Sequence, residues 1–168
     1  MLAETDKQLA DLSIYGATHV IASVGVGSWA QAVTIHYKRK APYVTVITVE
    51  PDTAASLKTS LEAGNITPIA TGHTIMNGMN CGTVSTTAWK VLKDGVDASV
   101  DVPDVAVHHD LQYLQSQDIM VGPCGAAPLT ALKQLCQKEK DTLGLNENSV
   151  VILFSTEGAR EYVVPEEA

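Results

Sequence analysis

The chain has 168 residues, 45 % of them hydrophobic and 18 % charged, which is enough for one folded core and excludes a disordered chain. A formal charge of −8 argues against nucleic acid or an anionic membrane surface as the main partner. Residues 1–11 lack the apolar centre of a secretory signal, no apolar run approaches a membrane span, and Cys81, Cys124 and Cys136 are scattered, which reads as reduced thiols in a cytoplasmic protein.

Residues 3–15 place Leu9, Leu12 and Tyr15 at helical spacing, with Gly16 as the stop. The β-branched run at 19–24 reads as a buried strand. Gly25-Val26-Gly27-Ser28 then allows a sharp turn into a helix over 29–39, whose basic end 38–40 suits the helix dipole. The run 43–49, YVTVITV, is the most strand-like in the chain. Asp52 or Thr53 caps a helix over 54–63 that stops at Gly64. A short strand at 66–69 follows, then an irregular stretch at 71–81, rich in Gly and Asn. Ser85 or Thr86 caps a helix over 87–93, and 99–102 is a short strand. Asp104 opens a helix to Gln117 with Val105, His108, Leu111 and Leu114 on one face. A further helix over 126–138 and a polar linker at 139–148 lead to the last strand, 150–154, which runs into Ser155-Thr156-Glu157-Gly158. The acidic residues 163–168 read as a frayed tail. Strands alternating with helix-length segments define an α/β fold, one domain over 1–168 with a mostly parallel sheet flanked by helices.

The glycine turn has two readings. A strand, a glycine turn and a helix start leave backbone N–H groups pointing out of the helix mouth, a ready site for a cofactor's phosphate. Gly25-x-Gly27-x-x-Ala30 also fits the dinucleotide fingerprint, with Glu50 closing the next strand where a ribose-binding carboxylate would sit. That alternative makes the chain a non-catalytic nucleotide-binding or structural module. In it, the Glu50 carboxylate faces the ribose pocket beside Gly25 and Gly27.

Further stretches follow Gly25-Val26-Gly27-Ser28 in order: Val49-Glu50-Pro51-Asp52, Thr74-Ile75-Met76-Asn77-Gly78-Met79-Asn80-Cys81-Gly82 and Ile152-Leu153-Phe154-Ser155-Thr156-Glu157-Gly158. With Gly125-Ala126-Ala127 and Trp89-x-x-Leu92, this string resembles the C-terminal half of diaminopropionate ammonia-lyases, in the tryptophan-synthase-β-like family of pyridoxal 5′-phosphate (PLP) enzymes. The resemblance covers about residues 18–160, and the block at 74–82 is its most specific part. It implies the large PLP-binding domain of fold type II enzymes, without its N-terminal half. It also implies loss of ammonia from a small amino acid, 2,3-diaminopropionate, to leave pyruvate. By position, Gly25, Val26, Gly27 and Ser28 look like the phosphate cradle, and Ser155 looks like the hydroxyl facing the pyridine nitrogen. A neutral hydroxyl there weakens the ring as an electron sink, which suits elimination at Cβ.

Two departures matter. Around Gly122-Pro123-Cys124-Gly125 the family keeps a Glu and a Ser where this chain has Pro123 and Cys124. The family's Schiff-base lysine and acidic catalytic residues lie in the N-terminal half, and none of Lys7, Lys38, Lys40, Lys58, Lys90 or Lys93 sits in a matching motif. The expectation is a half-site with no catalytic residue of its own, inactive alone. It would have an open sheet edge and self-associate or take a complementing N-terminal chain.

No metal site is expected. His108 and His109 are adjacent on a helix and point apart, and His36 and His73 have no carboxylate at ligand spacing. Cys124 lies near a helix N-terminus, which would favour thiolate. With no base identifiable, a buried inert thiol is the better reading.

Overall fold

The computed structural model describes residues 1–166. Four strands, β1 (His19–Ser23), β2 (Thr45–Pro51), β3 (Ala98–Val102) and β4 (Val151–Leu153), form one sheet in the order β3-β2-β1-β4. All pairings are parallel, with Ile21 opposite Ile47 and Leu153, and Val49 opposite Val100. Every residue of β1 is buried, as expected for a strand with neighbours on both edges and helices on both faces.

Strand alternation sorts the core into two halves. Val20, Ala22, Val24 and Val46 pack with Ala30, Val33 and Tyr37 of α2 (Ser28–Lys38), Leu57 of α3 (Ser56–Ala63), and Ala88 and Leu92 of α4 (Thr86–Gly95). Ile21, Ile47, Val49, Val100 and Val102 face the opposite way. They meet Val107 and Leu111 of α5 (Asp104–Ser116) and Ala126, Ala127, Ala131 and Leu135 of α6 (Pro123–Lys138). The chain winds β1-β2-β3 outward with helices on one face, then returns past β1 to β4 with helices on the other. The topological switch point therefore lies between β1 and β4, where α/β sheets bind ligands beyond their carboxyl ends.

Several local expectations are corrected. The first helix, α1 (Leu2–Asp11), ends before Leu12, and Gly16, at φ +112°, lies beyond it. It is tied to α2 by His36, whose Nε2 lies 2.7 Å from Asp6 Oδ2, so His36 does have a carboxylate partner, thirty residues away. Residues 52–54 form a 3₁₀ turn rather than the start of α3, although Gly64 does terminate that helix in the left-handed region. No strand forms at 66–69, because Thr67 N–H goes to Ser60 Oγ and Ile69 N–H to Gly82 O instead of to a ladder. Ser85 caps α4 by accepting from Ala88 N–H. The inward face of α5 keeps Leu111, with Leu114 packed at its edge, and adds Val107 and Asp110, which is buried beside Lys133, while Val105 and His108 are half-buried. Residues 163–166 have no regular structure, and the end of the expected tail, 167–168, lies outside the described residues.

α6 begins at Pro123, three residues earlier than the periodicity predicts, and it carries Pro128 inside. That proline has no N–H to give to the carbonyl of Cys124 one turn earlier. Ser23 supplies the missing donor from the end of β1, its hydroxyl lying 2.9 Å from Cys124 O. Ser23→Ala is expected to cost about 1–2 kcal/mol, the loss of one buried hydrogen bond that leaves the Cys124 carbonyl buried without its donor, read as a lower denaturation midpoint. An unchanged midpoint would show that Cys124 O needs no partner.

Candidate active site

The carboxyl ends of β1 and β4 open into a cleft of about 280 Å³, at the small end of ligand pockets. Its lining is Ser23, Gly25, Trp29, Gly78, Met79, Cys124, Thr156 and Glu157. Three segments build it: the β1–α2 bend, the loop at 74–82, and the β4 tail against the first turn of α6.

The bend is fixed from below. Val26 O accepts from Ser85 N–H at 2.9 Å, and Gly27 O accepts the first bond of α2, from Gln31 N–H at 2.8 Å. Gly27 holds φ +95°, and a Cβ there would lie 2.9 Å from Ala88 Cβ, so only glycine fits. A Cβ on Gly25 would meet Gly78 O at 2.6 Å. The N–H groups of Ser28, Trp29 and Ala30 precede the first intrahelical bond and have no acceptor in their own helix. Val26 and Ser28 are exposed at this mouth. Helix N-terminal amides with no acceptor in their own helix, beside the exposed Ser28, fit a phosphate dianion.

The loop at 74–82 is not the loose segment its composition suggests. Ile75, Met76 and Met79 are buried, residues 77–79 form a 3₁₀ turn, and Asp104 at the start of α5 accepts from Thr74 Oγ1 at 2.6 Å and Ile75 N–H at 2.8 Å. This places Gly78 between Gly25 and Cys124: a Cβ on Gly78 would lie 3.4 Å from Cys124 Sγ.

The β4 tail closes the third side. Val121 bridges to Gly158, and Glu157 O accepts from Gly122 N–H at 3.0 Å. The Glu157 carboxylate accepts from Cys124 N–H at 2.6 Å and from Arg160 Nε at 2.8 Å. A second Arg160 nitrogen donates to Ile75 O at 2.5 Å. Burial and then the Glu157 charge push the Cys124 thiol up to about 11. The helix N-terminus does not make a thiolate of Cys124, because the thiol is buried and a carboxylate already occupies that mouth.

The sequence-predicted residues are thus only partly brought together. Gly25 lines the cleft, and Val26, Gly27 and Ser28 form the bend beside it. Ser155 lies on the β4 tail, two residues past the Ile21–Leu153 pair, with its hydroxyl against Gly125; its neighbour Thr156 lines the cleft. Trp29, Gly78, Met79, Thr156 and Glu157 were not singled out from sequence, although Gly78, Met79, Thr156 and Glu157 lie inside the quoted motifs. Glu50 is 0 % exposed, and its oxygens accept from Leu57 N–H at 2.7 Å and Lys58 N–H at 2.8 Å. It caps α3 and cannot also face a ribose, so the dinucleotide alternative loses its acceptor. Among the described residues no lysine lines the cleft. His108 bonds Tyr162 through Nδ1 at 2.7 Å, and no group of three or more His, Cys, Asp or Glu among the described residues is placed to hold a metal. No helix of the described residues is long and apolar enough to cross a membrane.

A parallel sheet with an open amide mouth at its switch point matches a known class: residues 2–156 fit the model of the pyridoxal-phosphate dependent enzymes, and the chain belongs to that family, whose cofactor is PLP. Among curated relatives, the diaminopropionate ammonia-lyase of Salmonella typhimurium is 27 % identical over 174 residues, covering 94 % of this chain and 43 % of that protein. The biosynthetic L-threonine dehydratase of Staphylococcus epidermidis is 29 % identical over 118 residues, covering 69 % of this chain and 28 % of that one. Among solved structures, a T.th. threonine deaminase superposes with a TM-score of 0.83 at 25 % identity, over 96 % of this chain and 57 % of that one. The Escherichia coli diaminopropionate ammonia-lyase in complex with D-serine gives 0.81 at 25 % identity, over 94 % and 42 %. The chain therefore spans less than half the length of the ammonia-lyases it resembles, and its sheet is that of the fold type II enzymes.

Proposed function

We propose that this chain carries the phosphate-holding and ring-facing part of a PLP site for β-elimination from a small amino acid, similar to that of diaminopropionate ammonia-lyase. The observation that carries this reading is the open amide mouth of Gly25-Val26-Gly27-Ser28 at the β1–β4 switch point. The N–H groups of the bend and the Ser28 hydroxyl hold the phosphate. The Ser155 hydroxyl stands on the β4 tail as the neutral partner of the ring nitrogen. When bound, the cofactor would supply the electron sink for removal of the α-proton of 2,3-diaminopropionate and loss of its β-amine as ammonia; water would then hydrolyse the released enamine to pyruvate and a second ammonia. Among the described residues no lysine lines the cleft, so the covalent anchor and the proton-transferring group come from polypeptide other than these 168 residues, and the chain alone turns nothing over. The free edge of β4 is where a complementing chain or a second copy adds.

Titrating the purified chain with PLP and, separately, with NAD tests this. PLP raises the thermal midpoint and NAD does not. Ser28→Asp, which puts a negative charge at the mouth of the bend, weakens PLP by at least about tenfold, the effect of one like charge at partly screened range. Protection by NAD alone would overturn the proposal.

A further inference from the structure

Two helix mouths open on the cleft. The mouth of α2 presents bare backbone amides, whereas that of α6 is filled by the chain's own Glu157, whose carboxylate accepts from Cys124 N–H at 2.6 Å. Arg160 fixes that carboxylate through its Nε at 2.8 Å and ties it to Ile75 O on the loop wall. Glu157 lines the cleft and, among the described residues, Arg160 does not. One end of the cleft thus offers unpaired amides to an anion, and the other presents a carboxylate.

Resting on the cofactor-site reading above, we propose that Glu157 is a specificity-determining residue: it bars a second anion from the α6 mouth and orients a dipolar ligand, phosphate toward Gly25–Ser28 and a cationic group toward its own carboxylate. A phosphate monoester then binds once and in one direction. A phosphate monoester carrying a protonated amine then binds more tightly than its analogue carrying a hydroxyl in the same position. The raised Cys124 thiol agrees with this, since a neutral sulfhydryl beside Glu157 adds no competing charge.

Three probes separate the terms, with binding followed by tryptophan fluorescence and thermal midpoint: inorganic phosphate, pyridoxamine 5′-phosphate (amine) and pyridoxine 5′-phosphate (hydroxyl). The chain is expected to prefer the amine over the hydroxyl compound by about tenfold, one charge at partly screened range. Glu157→Gln, which keeps an oxygen for Cys124 N–H, brings the ratio close to one and leaves phosphate affinity equal or higher. Arg160→Gln, which leaves the carboxylate unpaired, raises the ratio. The opposite directions of the two variants exclude a general loosening of the cleft. If phosphate and both esters bind but Glu157→Gln keeps the amine preference, the role given to Glu157 is wrong. If none of the three binds the unaltered chain, the cofactor site itself is wrong.

Discussion

Glu50→Leu is expected to lower the stability of the folded chain by about 3 kcal/mol, because it strips the Leu57 and Lys58 N–H groups of their only acceptor in a place water does not reach. Glu50 is fully buried, and its carboxylate is the cap of α3. Burial raises its pKa to about 7 from an ordinary 4.5; the Leu57 and Lys58 N–H groups and Ser56 pull the other way, and the like charge of Asp101 adds to the rise. The folded chain therefore keeps this proton to a higher pH than the unfolded chain does. The contribution is fully present below about pH 4.5 and is lost as pH rises through 7, amounting to roughly 3 kcal/mol across the window. Urea midpoints should fall between pH 5 and 8 in the unaltered chain and stay nearly level over that range in Glu50→Gln. Parallel slopes in the two proteins would locate the titrating group elsewhere.

Gly27→Val should be comparably severe, at about 3 kcal/mol. It combines a β-branched residue at φ +95° with a Cβ pushed to 2.9 Å from Ala88 Cβ and 3.1 Å from Leu92 Cδ1. Gly25→Ala acts differently. Its new methyl meets a backbone carbonyl, Gly78 O, at 2.6 Å, which cannot swing aside as a side chain end would. The 74–82 wall must back away from the bend, so the expected result is a modest loss of stability, about 1–2 kcal/mol, with PLP binding reduced well beyond tenfold. Gly64→Ala calibrates both. It sits at φ +71° with nothing within 4 Å of the new carbon and should cost only about 1 kcal/mol of backbone strain. Should Gly25→Ala bind PLP as well as Gly64→Ala does, the bend is not the phosphate site.

The sequence was most legible where burial is simplest. β1 and β2 are covered on both faces, so their continuous apolar runs announce parallel strands, and the glycine bend announces the helix mouth after them. β4 is shorter than its apolar run because Phe154 leaves the ladder to pack edge-on against Trp29, with ring centroids 5.2 Å apart. The face of α5 is legible at Leu111 and Leu114 but not at Asp110, a buried acid in a position that hydrophobic periodicity assigns to solvent. Of the cleft's lining, the sequence singles out Gly25 as a site residue but not Trp29, Met79 or Glu157, because its walls come from three segments joined only by tertiary bonds. The ribose role that the dinucleotide alternative gives Glu50 fails for a related reason: a carboxylate at a strand end serves a ribose or a helix cap equally well on paper. Only the approach of α3 decides between them.

The anchoring of the 74–82 loop by Asp104 and three buried apolar side chains has a bearing on traffic. That wall is masonry rather than a door, since swinging it out would drag Ile75, Met76 and Met79 into water. Opening the cleft by moving this wall is therefore costly, and its approaches lie over the exposed residues Val26 and Ser28 on the bend and Thr156 on the β4 tail.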